Sequence, residues 1–268
     1  MENADYHRHP AIGKSHLDAV AKSPLHYWAK YRDPQRRPDV PTAAMQLGSA
    51  LHCLVLEPLR FAAEYVKAPD VDRRTKDGKA RWAELEAAGA NLLSAADWDL
   101  CHGMADGIRS HMAAARLMGR FGVPEVSLFW TDAQTELECK CRPDYLTDDG
   151  WIVDVKTTED ASPQAFAKSA WTYRYHVQAG WYLRGVSQSG MTPRGFIFIA
   201  VEKKPPHAVA VYLADDVMVK AGLDEADRCL ARIAESIETE HWPGYGHDVQ
   251  VLSLPSWAIK DSGVSAYV

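Results

Sequence analysis

No part of this chain stays apolar for long. Its most apolar runs, Leu51–Leu56 and Gly195–Val201, fall well short of the roughly 20 residues that a membrane-spanning helix needs. The first residues, Met1-Glu2-Asn3-Ala4-Asp5, lack the apolar centre of a secretion signal. Cysteine is scarce: five residues, at 53, 101, 139, 141 and 229, an odd count with no disulfide-like spacing. Reduced thiols in a cytoplasmic protein are therefore expected. Cys139-Lys140-Cys141 does not have the two-to-four spacing of zinc or iron–sulfur sites and has no second pair, so core thiols are expected there. Positive charge is also short. A net charge of −6 and a pI of about 6.0 argue against a surface that coats nucleic acid everywhere, although a local cationic channel remains compatible with them. There is no internal repeat and no low-complexity tract.

What is present suits an ordered core. The 268 residues are 47% hydrophobic and include nine Trp, enough for one large domain, and no linker-like segment divides them. The first hundred residues read as helical: His16–Lys22 behind Ser15, a helix from Ser23-Pro24 to Tyr31, and an amphipathic helix over Ala43–Glu57 with Met45, Leu47, Leu51, Leu54 and Val55 facing inward. Val71–Arg81 is charged and lacks periodicity, and a long helix is expected over Ala95–Met118. Strands are expected over Glu125–Thr131, Glu136–Leu146 and Trp151–Thr157. A helical region follows from Ser162-Pro163 to about Ser189, then a strand pair over Arg194–Glu202 and Ala208–Leu213, and a last helix over Asp216–Glu238. This order predicts a mixed α/β fold, with a helical portion at about 12–120, a sheet core at about 123–240 and a tail from 241 to 268.

The chemistry concentrates between Pro143 and Thr158. Asp154 and Lys156 lie two residues apart at the end of the run Trp151-Ile152-Val153, so a strand places both side chains on one face about 7 Å apart. Thr147-Asp148-Asp149-Gly150 is a turn that folds the preceding segment back and brings Asp144 near them. Converging carboxylates suit a hard cation such as Mg²⁺, and a neighbouring ammonium can orient or deprotonate a water. One helix later, Gln178 and Tyr182 stand at i, i+4 and share a face. Short motifs of this kind are common by chance, but a charged pair ending a buried run is costly unless it serves a site.

Taken together, Pro143-Asp144, Asp154-Val155-Lys156 and Gln178-Ala179-Gly180-Trp181-Tyr182 resemble the PD-(D/E)XK nuclease superfamily, in its branch with a trailing Gln-x-x-x-Tyr. More narrowly, the sequence is similar to RecE-type (exonuclease VIII) nuclease domains. The stretches that carry this are Gly48–Leu54, Arg73–Lys76, Cys141–Asp144, Asp154–Thr158, Tyr173–Gln178 and Leu252–Pro255. The resemblance implies a restriction-endonuclease-like core with a mixed central sheet flanked by helices. It implies a Mg²⁺-dependent 5′→3′ exonuclease on double-stranded DNA ends, with Mn²⁺ able to substitute. It also implies resection to 3′ overhangs for recombination beside a RecT-like single-strand annealing protein, a phage or prophage setting, and a ring-shaped homo-tetramer. His52, on its own a plausible core histidine, becomes an implied metal ligand with Asp144, Asp154 and the Val155 carbonyl. Lys156 becomes the water-positioning residue, Glu125 an acidic group near the metal or the DNA end, Gln178 a partner of the carboxylates or of the DNA backbone, and Tyr182 a phosphate-positioning residue. Arg73, Arg74, Lys76, Lys79 and Arg81, otherwise a solvated charge run, become a DNA-gripping loop. Two rival readings stay open: a related endonuclease, and a non-catalytic DNA-end-binding protein on the same fold. An iron–sulfur nuclease of the superfamily is disfavoured for want of its cysteines.

Overall fold

The structure, a computed structural model, describes residues 1–254 except 2, 38–39, 70, 72–73, 88 and 247. Its elements in chain order are α1 (Asn3–Arg8), α2 (Lys14–Lys22), α3 (Pro24–Tyr27) with a π-helical turn Trp28–Arg32, α4 (Ala43–Leu56), α5 (Pro58–Glu64), β1 (Tyr65–Lys67), α6 (Lys76–Ala87), β2 (Asn91–Leu93), α7 (Ala95–Ser110) and α8 (Met112–Met118). The second half holds β3 (Gly122–Pro124), β4 (Leu128–Thr131), β5 (Glu138–Cys141), β6 (Tyr145–Thr147), β7 (Trp151–Thr158), α9 (Pro163–Thr172), α10 (Tyr175–Gln188), β8 (Gly195–Glu202), β9 (Val209–Leu213) and α11 (Asp216–Thr239).

The central sheet has the order β3-β6-β7-β8-β9 and is mixed: β7 and β8 run parallel, and the other neighbours are antiparallel. Strand alternation sorts its two faces. Val153 and Val155 of β7, with Ile199 and Val201 of β8, pack against Leu51 and Leu54 of α4 and Met104 and Ile108 of α7. Ile152, Phe196, Phe198 and Ala200 face Phe166 of α9 and Ala179 and Val186 of α10. A third cluster joins α2, α10 and α11 to the β4–β5 ribbon through Leu17, Trp181, Leu230 and Cys139. This is the α/β architecture expected: a mixed sheet with helices on both faces. Among the described residues no helix is long and apolar enough to cross a membrane.

Several boundaries differ from the sequence expectations. The strand expected over Glu125–Thr131 divides, because Glu125 takes a left-handed backbone (φ 50°) that turns the chain from β3 in the main sheet to β4 in the ribbon. The strand expected over Glu136–Leu146 also divides, because Pro143 has no N–H to continue a ladder, and β5 and β6 join different sheets. The Ala95–Met118 helix breaks at His111, whose extended ψ of 116° frees its side chain to cap α8 at Ala114. Met45 is 57% exposed: α4 starts in solvent and reaches the core only in its later turns. The segment expected to be aperiodic becomes helical from Lys76. Pro255 and the rest of the tail lie outside the described residues. All five thiols are free and buried, and burial pushes Cys101 and Cys139 up to about 12, in keeping with core roles.

The crossing of α10 and α11 depends on Gly222, where a Cβ would lie 1.9 Å from the His176 carbonyl oxygen. Gly222→Ala must therefore push the helices apart. A loss of about 3 kcal/mol is expected from overpacking of this kind, read as a lower urea midpoint at unchanged m.

Candidate active site

The Thr147–Gly150 turn closes β6 onto β7, as the Asp-Gly signal predicts, and this lays the Asp144 segment beside Val155. Asp144 is 8% exposed and its Oδ2 accepts the Val155 N–H at 2.8 Å. From α4, His52 reaches over the sheet end: Nε2 lies 2.9 Å from the Val155 carbonyl oxygen and Nδ1 lies 3.3 Å from Asp144 Oδ2. On the opposite face, Asp154 is fully buried. Its Oδ1 accepts from Gln178 Nε2 at 2.6 Å, and its Oδ2 lies 2.5 Å from Lys156 Nζ. At that distance the Lys156 ammonium is the ion-pair partner of Asp154 Oδ2. Glu125 arrives by the left-handed turn, its N–H bonded to the Asp144 carbonyl at 3.0 Å.

The expected residues therefore meet in two layers. His52, Glu125 and Asp144 each offer a ligand atom, and these atoms lie within 4.8 Å of one another. Asp154, Lys156 and Gln178 stand beside them. The Val155 carbonyl is engaged by His52, and its N–H by Asp144. Tyr182 packs its ring among apolar groups, 6.1 Å from Phe196 between centroids, and burial pushes its hydroxyl well above the ordinary range. Of the expected cationic grip, Arg73 lies outside the described residues. Arg74 precedes α6, while Lys76, Lys79 and Arg81 are exposed on it and Arg81 pairs with Glu84 at 2.7 Å. These cations thus stand largely on a helix rather than in the loop expected.

Two neighbours were not anticipated. Arg142, whose side chain is 9% exposed, places Nε 3.0 Å from Glu125 Oε2; its position two residues before Asp144 was the available signal. Tyr175 lies with its ring centroid 4.9 Å from Lys156 Nζ, an approach across the sheet face that spacing does not reveal.

Crowded carboxylates set the electrostatics. Burial, and then the charge of Asp144, pushes Glu125 up to about 7 and Asp154 up to about 6. Burial opposes ionisation of Asp144 too, but His52, Lys156 and the Val155 N–H together hold it below the usual range. Burial would depress His52, yet the Asp144 carboxylate outweighs it and lifts the imidazole to about 9. Lys156 is likewise raised despite burial, by Asp154 and Asp144, and stands here as a hydrogen-bond donor. One imidazole and two carboxylates, with the Asp154 carboxylate beside them, form a mixed N/O set that fits a divalent cation.

A family profile, described as a PDDEXK-like domain of unknown function (DUF3799), matches residues 13–255. The chain belongs to this PDDEXK-like family. It is a nuclease enzyme by that membership, and the mixed central sheet flanked by helices is the corresponding core. Among solved structures, a protein from Eubacterium rectale that carries only a provisional designation as an exonuclease is similar over 98% of both chains, with a TM-score of 0.67 at 14% identity. An alkaline exonuclease from Laribacter hongkongensis is similar over 74% of this chain and 96% of its own, with a TM-score of 0.31 at 17% identity. No curated protein matches the sequence.

Removing the Gln178 amide leaves a buried Asp154 oxygen without its donor. Gln178→Ala is expected to cost about 1–3 kcal/mol, measured by urea unfolding in EDTA. A midpoint equal to that of the unaltered protein would show that this bond does not organise the site.

Proposed function

We propose that this protein is a divalent-metal-dependent exonuclease that degrades double-stranded DNA from its ends in the 5′→3′ direction. The observation that carries the reading is the approach of His52, Glu125 and Asp144 within 4.8 Å, with the Asp154–Lys156 pair at 2.5 Å beside them. In this reading those three side chains hold the cation, joined by Asp154. Mg²⁺ is the physiological ion and Mn²⁺ substitutes, since the carboxylate oxygens of the donor set suit both. When bound, such an ion acidifies a coordinated water and offsets charge on the scissile phosphate.

The chain's own groups supply the rest. Lys156, held as an ammonium by Asp154, donates toward the attacking water and the phosphate, fixing the nucleophile and neutralising developing charge. Gln178 keeps Asp154 in one rotamer. Arg142 fixes Glu125 so that its carboxylate stays turned toward His52. Arg74, Lys76, Lys79 and Arg81 contact phosphates away from the cut and supply affinity rather than chemistry.

The polarity and the requirement for an end follow from the likeness to RecE-type nucleases over Gly48–Leu54, Cys141–Asp144 and Tyr173–Gln178. So do resection to 3′ overhangs, a RecT-like annealing partner in the cytoplasm, and a ring-shaped tetramer. A ring is also the simplest way for a chain of net charge −6 to surround DNA with a cationic lining.

With Mg²⁺, linear duplex labelled at either end should be digested from its 5′ ends, a closed circular duplex should persist, and EDTA should stop the reaction. Asp154→Ala and Lys156→Ala should each lower the rate by about 10³-fold or more while circular dichroism stays native. Undiminished digestion by either variant, or cleavage of the closed circle, would overturn this assignment.

A further inference from the structure

Between α9 and α10 the chain turns through Tyr173 and Arg174, and the turn is built rigidly. Arg174 takes a left-handed backbone (φ 57°). Its guanidinium is anchored to Asp18 of α2 at 3.0 Å and to Glu225 of α11. Lys14 Nζ donates to the Tyr173 carbonyl at 2.8 Å. This anchored turn carries an aromatic ring into solvent: Tyr173 is 60% exposed. On its inner side Tyr173 stacks on Tyr175, with centroids 5.8 Å apart and planes at 27°. Tyr175 in turn packs on Phe166 and Phe198 and presents its face to Lys156 Nζ at 4.9 Å.

Single exposed aromatic rings are ordinary on protein surfaces, so exposure by itself assigns nothing. Here one stands on an anchored turn, one ring removed from the lysine of the candidate active site; the Lys14 ammonium at its base is paired with Asp18 at 2.7 Å. A base–aromatic stack needs an accessible π-face on a pre-organised ring, and a cation nearby suits the adjoining phosphate. A paired, stacked base cannot offer its face to the side of a duplex, whereas an unpaired one can.

We propose that Tyr173 is the stacking platform for an unpaired nucleobase of the strand entering the site, so that the enzyme takes its substrate strand single-stranded next to Lys156. The assignment rests on the nuclease reading above and adds the chemical form in which the strand is held. Tyr175 supports the platform and links its position to that of Lys156.

The test uses the full chain in EDTA with a single-stranded oligonucleotide carrying 2-aminopurine at successive positions. Stacking should quench the fluorophore at one or two positions. Tyr173→Ala should remove the quench and weaken binding about tenfold, whereas Tyr173→Phe, which keeps the ring, should retain both. The exposed position leaves the core untouched, and circular dichroism checks the fold. A protein that digests DNA with Mg²⁺ yet shows no quench, or in which Tyr173→Ala binds and quenches as the unaltered chain does, overturns the platform and leaves the nuclease reading intact. A protein that quenches through Tyr173 but digests no DNA supports the platform and sinks the nuclease reading.

Discussion

Two carboxylates, Asp144 and Asp154, lie buried at the end of the central sheet, and much of the surrounding structure compensates them. A buried charge without partners costs several kcal/mol. The partners that relieve this cost come from three elements: His52 from α4, the Val155 N–H and Lys156 from β7, and Gln178 from α10. The carboxylates thus specify how helices on opposite faces of the sheet register against β7. Glu125 and Asp154 nonetheless remain pushed up by burial and by the nearby Asp144 charge. Carboxylates gathered this closely are suited to receive a divalent cation.

Glu125 joins that site by an unusual route. Its left-handed backbone is costly for a residue with a side chain, of order 1 kcal/mol, and it marks the point where the chain leaves the main sheet for the β4–β5 ribbon. The same turn delivers the carboxylate to His52 and Asp144, and the buried Arg142 pairs with it. Local strain, sheet exchange and ligand placement are one event here. The overall negative charge of the chain is in part a consequence, since acidic groups at the site lower the total without describing the surface that meets DNA.

The fold and the chemistry also rest on different kinds of support. Family membership and the similarity to the Eubacterium rectale structure concern the sheet and its helices. The proposed direction of digestion, preference for ends and assembly would depend on loops, cationic faces and subunit contacts, which vary freely on a common core. The rigid Tyr173 turn is a feature of that second kind, built on the scaffold rather than required by it.

Much of this was legible along the chain because the relevant signals are local. Period-two alternation put Asp154 and Lys156 on one face, Asp-Gly set the β6–β7 turn and hence the position of Asp144, and i, i+4 spacing put Gln178 and Tyr182 on one helical face, which the family resemblance alone pointed toward the carboxylates. The α4 helix, the β8–β9 pair and the closing helix α11 were likewise written in apolar periodicity. Other features were settled only by tertiary packing. The split strands at Glu125 and Pro143 needed a second sheet to receive β4 and β5. The break at His111 and the solvent-facing start of α4 depend on where the core ends. Arg142 against Glu125, the grouping of His52 with Glu125 and Asp144, and Tyr175 over Lys156 join residues distant in sequence or set by a turn that spacing cannot predict. Side-chain periodicity reports which face a residue takes. Which residue lies opposite it is decided only when helices and sheets close on one another.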